Sequence, residues 1–196
     1  MKDLREGLKG SVDYFRSENK AERERWTCRE FVLNLNGDPD ASPFVSPADD
    51  PPDVTFADAR FEVKEIMDRG RRRHAEFRAA LDRALKATDP SQLITQYSPK
   101  DITPADIEIR IVRELNKLAK KYEPRLIATL DMLFYVNLIE HHFKQGPMPQ
   151  ASKFSQYGWR SISAVTGWAG LVFAAEKGAP AFIRNRVGSI AVRRFE

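Results

Sequence analysis

Cysteine is almost absent from this 196-residue chain, in which Cys28 is the only one. A single thiol cannot form a disulfide framework within the chain, and it cannot supply the clustered thiolate ligands of a structural metal site. This cysteine usage is typical of proteins from a reducing compartment, and we therefore expect a cytoplasmic protein.

Long apolar runs are also missing. No stretch of the sequence approaches the roughly 18 consecutive apolar residues of a membrane-spanning helix. The first residues, MKDLREGLKG, contain no apolar core of a signal peptide. We therefore expect no membrane partner.

Several common catalytic motifs have no counterpart in the sequence. It contains no glycine-rich phosphate loop, no dinucleotide-binding fingerprint and no nucleophile elbow around a serine. The sequence therefore does not indicate a P-loop nucleotide hydrolase, a Rossmann-type dehydrogenase or a serine hydrolase.

Charge and apolar content are well represented. Hydrophobic residues make up 42% of the chain and charged residues 31%, which is enough for a core beneath a polar surface. The length favours one domain spanning residues 1–196. The formal net charge is +4 and the pI is near 9.2. This mild positive bias suits a polyanionic partner such as nucleic acid.

Hydrophobic periodicity predicts a mixed α/β domain in which helices flank a small mixed β-sheet, with a strand-rich extension at the C-terminal end. A segment rich in proline and aspartate, residues 38–52, is predicted as a loop with at most a short strand at Phe44 and Val45. Thr103, Pro104 and Asp106 form a capping-box pattern at the start of one helix. The predicted helices cover 2–17, 19–35, 71–87 and the segment from 104 to before 124, and the predicted strands cover 54–56, 61–67, 130–138, 162–165, 171–175 and 181–183.

One predicted strand carries an acid and a lysine two residues apart. Side chains alternate across a strand, so Glu62 and Lys64 share one face while Phe61 and Val63 can enter the core. A carboxylate can bind Mg²⁺, and a lysine can position water or neutralise charge on a phosphate. Asp53, at the start of the preceding strand, is placed to add a second carboxylate across the predicted hairpin.

Pro52-Asp53, followed after eight residues by Glu62-Val63-Lys64, resembles the signature of the PD-(D/E)XK nuclease superfamily. The order of predicted elements is similar to the αβββαβ core of that restriction-endonuclease-like fold. The whole chain also resembles a bacterial family of unknown function described as putative endonucleases. The resemblance implies that Asp53 and Glu62 bind Mg²⁺ or Mn²⁺ and that Lys64 is catalytic.

Many members of that superfamily also carry a glutamate on the first core helix. The matching helix here is 19–35, where Glu24 shares a face with the apolar residues Cys28 and Phe31. We expect Glu24 to be a third metal ligand, and Glu30, on another face, is the second choice.

Short motifs also arise by chance, so a second interpretation stays open. In this interpretation, Glu62 and Lys64 are solvent-exposed side chains on one face of a strand and have no catalytic role. Another acid-x-Lys match, Glu18-Asn19-Lys20, falls on a predicted helix and is interpreted as coincidence.

Basic residues follow the candidate strand directly. Arg69, Arg71, Arg72 and Arg73 are predicted to hold the phosphates of a nucleic acid. The alternative is a solvated start of the next helix, although cations are slightly unfavourable at a helix N-terminus.

The leading hypothesis is a Mg²⁺-dependent endonuclease that hydrolyses phosphodiester bonds of nucleic acid, with DNA the first choice. Such enzymes often act as homodimers because a duplex has two strands. The alternatives are a catalytically silent nucleic-acid-binding module on the same fold and a protein-interaction domain.

Overall fold

The computed structural model describes residues 1–94, 98–139 and 141–193. Short 3-10 helices cover Ser17–Asn19 and Pro90–Leu93. The α-helices are α1 (Lys2–Tyr14), α2 (Lys20–Asn34), α3 (Arg73–Lys86), α4 (Pro104–Leu118), α5 (Pro124–Ile127), α6 (Ser152–Ser155) and α7 (Ala181–Arg184). Within these residues, no helix combines the length and apolar character needed to cross a bilayer.

The strands are β1 (Val54–Phe56), β2 (Ala59–Ile66), β3 (Lys100–Ile102), β4 (Asp131–Val136), β5 (His141–Phe143), β6 (Ser161–Val165), β7 (Ala169–Ala175) and β8 (Ser189–Val192). Over the described residues they form a six-stranded sheet in the order β1-β2-β4-β6-β7-β8 and a separate pair, β3 and β5. β2, β4 and β6 are parallel, whereas β1, β7 and β8 run antiparallel to their neighbours. The prediction of a mixed α/β domain with a mixed sheet is confirmed.

Helices cover both faces of the large sheet. Because side chains alternate along β4, Leu133 lies in the core beneath α2, while Met132 and Phe134 lie in the core beneath α4. Phe61 and Val63 of β2 also belong to the core on the α2 side, as predicted. The alternation leaves Glu62 on the α4 side of the same strand.

The start of α4 matches its sequence pattern. The Thr103 hydroxyl accepts a hydrogen bond from the backbone N–H of Asp106, and the Asp106 carboxylate accepts one from the backbone N–H of Thr103. Pro104 occupies the first helical position, where a missing N–H costs nothing. The capping box is therefore confirmed.

The proline- and aspartate-rich segment before β1 is largely irregular, but it holds one strand contact. Val45 and Thr55 exchange backbone hydrogen bonds of 3.0 and 2.8 Å in an antiparallel bridge. Phe44 stacks on Phe56 with ring centroids 4.3 Å apart. The segment therefore lies against the outer edge of β1.

The C-terminal part differs from the prediction. Residues 181–183, predicted as a strand, lie in α7, and the sheet ends instead with β8, which pairs with β7. Pro180 directly precedes α7, and the side chain of Arg184 donates hydrogen bonds to the carbonyls of Lys177 and Ala179. Three apolar residues are too few for a period to distinguish strand from helix. Residues 141–143, which lie outside the predicted strands, form β5 beside β3.

A buried carboxylate joins three strands at the start of β4. Asp131 accepts hydrogen bonds from the Arg60 backbone N–H at 2.9 Å, the Ser161 hydroxyl at 2.8 Å and the Arg160 guanidinium, with which it forms an ion pair. Its charge is therefore compensated without direct contact with water.

We expect Asp131→Ala to lower the free energy of unfolding by about 3–5 kcal/mol, because it leaves Arg160 unpaired at a largely buried position. Urea unfolding followed by circular dichroism measures this loss. The control is Asp101→Ala, whose carboxylate forms an exposed ion pair with Lys144 and should cost less than about 1 kcal/mol. Equal losses in the two variants would contradict the role assigned to Asp131.

Cys28 offers a second test of the packing. Its side chain is 0% exposed, and burial, together with the nearby charges of Asp53 and Glu24, raises the pKa of the thiol. We expect a thiol reagent at mildly alkaline pH to modify Cys28 at least about 100-fold more slowly in the native protein than in urea. Rapid native labelling would show that α2 does not pack against the sheet as described.

Candidate metal and catalytic site

Asp53 is fixed at the point where the irregular segment meets the sheet. One oxygen of its buried carboxylate accepts a hydrogen bond of 2.9 Å from the backbone N–H of Val63 in β2. The other oxygen accepts one of 3.1 Å from the ammonium of Lys20 in α2. The carboxylate is therefore held against the strand that carries Glu62.

Glu62 is the most deeply buried acid of the site, with a side chain only 1% exposed. Its Oε1 atom accepts hydrogen bonds from the Lys64 ammonium at 2.7 Å and from the Tyr122 hydroxyl at 2.5 Å. Its Oε2 atom is buried and has no hydrogen-bond partner among the described residues. A buried charged oxygen without a partner is costly, and such an atom in a native protein calls for an explanation.

A third carboxylate completes an acidic cluster. Asp50, Asp53 and Glu62 each place one oxygen so that all three atoms lie within 4.8 Å of one another. Oxygen donors at this spacing are what a hard divalent cation requires. A cation among them would also contact the acid whose Oε2 atom lacks a partner. The residues present therefore fit Mg²⁺ or Mn²⁺.

Glu24 lies beside this cluster rather than within it. The Lys20 ammonium contacts Glu24 at 2.9 Å and Asp53 at 3.1 Å, and so bridges the two carboxylates. Burial raises the pKa of Glu24, and the charge of Asp53 raises it further, while the hydrogen bond from Lys20 opposes both effects. The role of Glu24 as a metal ligand stays a prediction. Glu30, the second choice, forms an ion pair with Arg193 instead.

Sequence reasoning missed three residues of the site. Lys20 belongs to the acid-x-Lys match that the sequence assigns to coincidence, yet it contacts two of the predicted acids. Asp50 stands three positions before Asp53, a spacing that could have suggested a shared loop. Tyr122 lies 60 positions from Glu62, and no local pattern could have joined them.

Tyr122 is held in the form that donates to Glu62. Burial raises the pKa of its phenol, as do the hydrogen bond to Glu62 and the charges of Glu62, Asp50 and Asp53. The hydroxyl therefore stays protonated and fixes the orientation of Glu62 in the absence of a cation.

The predicted phosphate-binding arginines divide into two pairs, of which the first is exposed. Arg69 and Arg72 are both exposed to solvent. Arg69 lines a cavity of about 500 Å³ together with Lys100, outside the acidic cluster. Both side chains are accessible to a polyanion, and their role in phosphate binding stays a prediction.

Arg71 and Arg73 make contacts within the protein. Arg71 forms an ion pair with Glu76 at 2.8 Å, and Arg73 forms one with Glu65 at 2.7 Å. Arg73 nevertheless lines a cavity of about 340 Å³ that also includes Glu24 and Lys64. Arg73 is thus the member of the arginine run that the fold places beside the candidate site.

A model of the family described as "Putative endonuclease, protein of unknown function (DUF1780)" matches residues 1–195. The chain belongs to this family. The family description names endonucleases as the candidate class of activity and leaves the function open.

The chain is also similar to a solved structure described as "Structure of Protein of Unknown Function PA4535 from Pseudomonas aeruginosa strain PAO1, Monooxygenase Superfamily". The two share 28% sequence identity with a TM-score of 0.68, and the match covers 96% of this chain and 91% of the other. A search among curated proteins finds no match to the chain. The structural likeness extends over nearly the whole fold, while the two descriptions suggest different chemistries.

Cation binding at the acidic cluster should appear in thermal stability. At a Mn²⁺ concentration about 100 times its dissociation constant, binding to the native state would add about 2.7 kcal/mol to the free energy of unfolding. We expect Asp53→Asn and Glu62→Gln to lose this gain. Differential scanning calorimetry with and without Mn²⁺ measures it.

The matched control is Asp101→Asn, which changes an acid outside the cluster and should keep the full stabilisation. Glu62→Gln should remain folded without Mn²⁺, because its carbonyl oxygen can still accept from Lys64 and Tyr122. An equal gain in wild type and Glu62→Gln would place the cation elsewhere.

Proposed function

We propose that this protein is a divalent-metal-dependent endonuclease that hydrolyses phosphodiester bonds of nucleic acid, DNA being the first substrate to test, at a site of the PD-(D/E)XK type. The observation that carries the proposal is the convergence of Asp53, Glu62 and Lys64. Two carboxylates and one ammonium meet where the chain enters β1 and along β2, and Lys64 lines a neighbouring cavity.

The order of elements supports the same assignment. Helix α2 is followed by the Val45 bridge, β1 and β2, then by helices and the parallel strand β4. With the bridge counted as a first strand, this order corresponds to the αβββαβ arrangement that the sequence resembles. The family description, which names endonucleases, is a further support.

Different residues of the site would bind the cation, stabilise charge on the phosphate and orient a metal ligand. Asp50, Asp53 and Glu62 would hold the cation, which when bound would supply Lewis acidity and a more acidic water. Lys64, whose side chain is 30% exposed, can reach the cavity and stabilise negative charge on a phosphate. Tyr122 would keep Glu62 oriented.

The donor set favours hydrolysis over the oxygenase chemistry named for the solved relative. The clustered groups are all carboxylates, which suit hard cations such as Mg²⁺. His74, His141 and His142 line cavities whose walls include none of the three clustered acids. These residues therefore support phosphodiester hydrolysis as the reaction.

One observation supports a second candidate, a nucleic-acid-binding module without catalysis. Lys20 already neutralises part of the acidic site by contacting Glu24 and Asp53. If this lysine stood permanently in place of a cation, the fold would bind without cutting. Retained cleavage in the presence of Mg²⁺ or Mn²⁺ separates the enzyme from such a module.

Cleavage of plasmid and oligonucleotide DNA tests the proposed function. We expect wild-type protein to cut with Mg²⁺ or Mn²⁺ and to stop when EDTA is added. Lys64→Ala should lower the cleavage rate on the order of 100-fold, because it removes a charge that stabilises the transition state. Glu62→Gln should abolish cleavage by removing a metal ligand.

Lys117→Ala provides the matched control, since Lys117 also pairs with a glutamate at 2.7 Å but lies on the exposed face of α4. It should cut at the wild-type rate. Equal rates for Lys64→Ala and wild type would remove the lysine from the mechanism. Absence of metal-dependent cleavage in every nucleic acid tested, together with retained binding, would favour the silent module.

A further inference from the structure

An aromatic cavity lies next to the candidate site. It has a volume of about 330 Å³, and its walls come from the end of α1, from α2, from α3 and from β4. We call it the aromatic pocket, and its lining side chains are Tyr14, Phe15, Arg23, Trp26, Thr27, Arg73 and Tyr135.

The aromatic pocket contains an accessible tryptophan. Trp26 is 43% exposed although its ring contacts Tyr135 edge-to-face, with centroids 5.7 Å apart. Tyr14 and Phe15 form a second edge-to-face pair with centroids 5.1 Å apart. The exposed flat surface of Trp26 can stack on a nucleobase, and this kind of binding does not depend on base identity.

Two arginines line the aromatic pocket, and of these Arg73 is already paired with Glu65. The guanidinium of Arg73 lies 4.2 Å from the centroid of the Phe15 ring, and that of Arg23 lies 5.7 Å from it. Arg23 donates to the backbone carbonyls of Tyr14 and Arg16 but has no carboxylate within ion-pair distance in the described part of the chain. Its charge is therefore open to an anionic group such as a phosphate.

The aromatic pocket is continuous with the site of the proposed reaction. Arg23, Thr27, Arg73 and Tyr135 line both this pocket and the neighbouring cavity that includes Lys64 and Glu24. A strand whose phosphate lay beside Lys64 could therefore place an adjoining base against Trp26.

We propose that the aromatic pocket binds an unpaired nucleobase next to the phosphodiester bond that is cut. A base inside a duplex is stacked on both faces and cannot enter such a cavity without leaving the helix. The substrate class is therefore single-stranded or locally unpaired nucleic acid. This inference deepens the proposed function and rests on it for the position of the cut, while base binding itself needs no cation.

Binding measured without divalent cations separates the two ideas. We expect fluorescence anisotropy to show that a labelled single-stranded oligodeoxynucleotide binds on the order of 10-fold more tightly than the duplex of the same sequence. Trp26→Ala should weaken single-strand binding on the order of 10-fold by removing a stacking surface. Trp26→Phe, which keeps an aromatic face, should restore most of the affinity.

Trp168→Ala is the matched control. Trp168 is also exposed, at 36%, and also has an edge-to-face partner, Phe143, but it lines a different cavity. It should leave single-strand binding within about twofold of wild type, since stacking losses are larger than this. Circular dichroism of all variants excludes misfolding as the cause of a loss.

The outcomes distinguish failure of this inference from failure of the proposed function. Metal-dependent cleavage with identical single-strand affinity in wild type and Trp26→Ala would overturn the base site and keep the nuclease. Single-strand binding that depends on Trp26, without any cleavage, would keep the base site and overturn the nuclease. Equal loss in Trp26→Ala and Trp168→Ala would also overturn the base site.

Discussion

The hydrogen bond from the backbone N–H of Val63 to Asp53 organises the candidate site. It joins an irregular, proline-rich segment to the middle of a regular strand and brings the acids of both into one group. Because the accepting carboxylate is buried, the bond is shielded from competing water. Together with the Lys20 contact and the pairing of Val54 with Phe61, it fixes Asp53 relative to Glu62.

The carboxylate charges around this hydrogen bond are only partly compensated. Lys20 bridges Asp53 and Glu24, and Lys64 contacts one oxygen of Glu62. The second oxygen of Glu62 has no partner in the described part of the protein. By contrast, Asp131, at the start of the neighbouring strand, is fully engaged by Arg160, Ser161 and a backbone N–H. Of these two buried acids in one sheet, only Glu62 has an oxygen without a hydrogen-bond partner among the described residues, and Glu62 belongs to the acidic cluster. Functional sites commonly retain such local costs.

The sequence predicted the central elements and part of the site because those features have local signals. Alternation in β2 separated Glu62 from Phe61 and Val63, and the capping pattern located the start of α4. The spacing of Asp53 and Glu62 across a hairpin placed them together, as the structure has them. Tyr122 could not be predicted, since its contact with Glu62 depends on where α4 ends in three dimensions.

The contacts of the arginines at positions 69–73 could not be predicted from the sequence for a similar reason. Its charge is visible in sequence, but the ion pairs of Arg71 and Arg73 with Glu76 and Glu65 depend on side-chain placement. The prediction of a strand at 181–183 was wrong for a different reason. This short apolar segment fits either a strand or one turn of helix.

The stacking of Phe15 on Phe77, with centroids 4.9 Å apart, attaches the end of α1 to α3. Phe15 also forms part of the wall opposite Trp26, so one ring takes part both in helix–helix association and in shaping the cavity. The position of that part of the wall therefore depends on the association of α1 with α3. Substitutions at the Phe15–Phe77 contact would therefore change which ligands the aromatic pocket prefers, while leaving the acidic cluster unchanged.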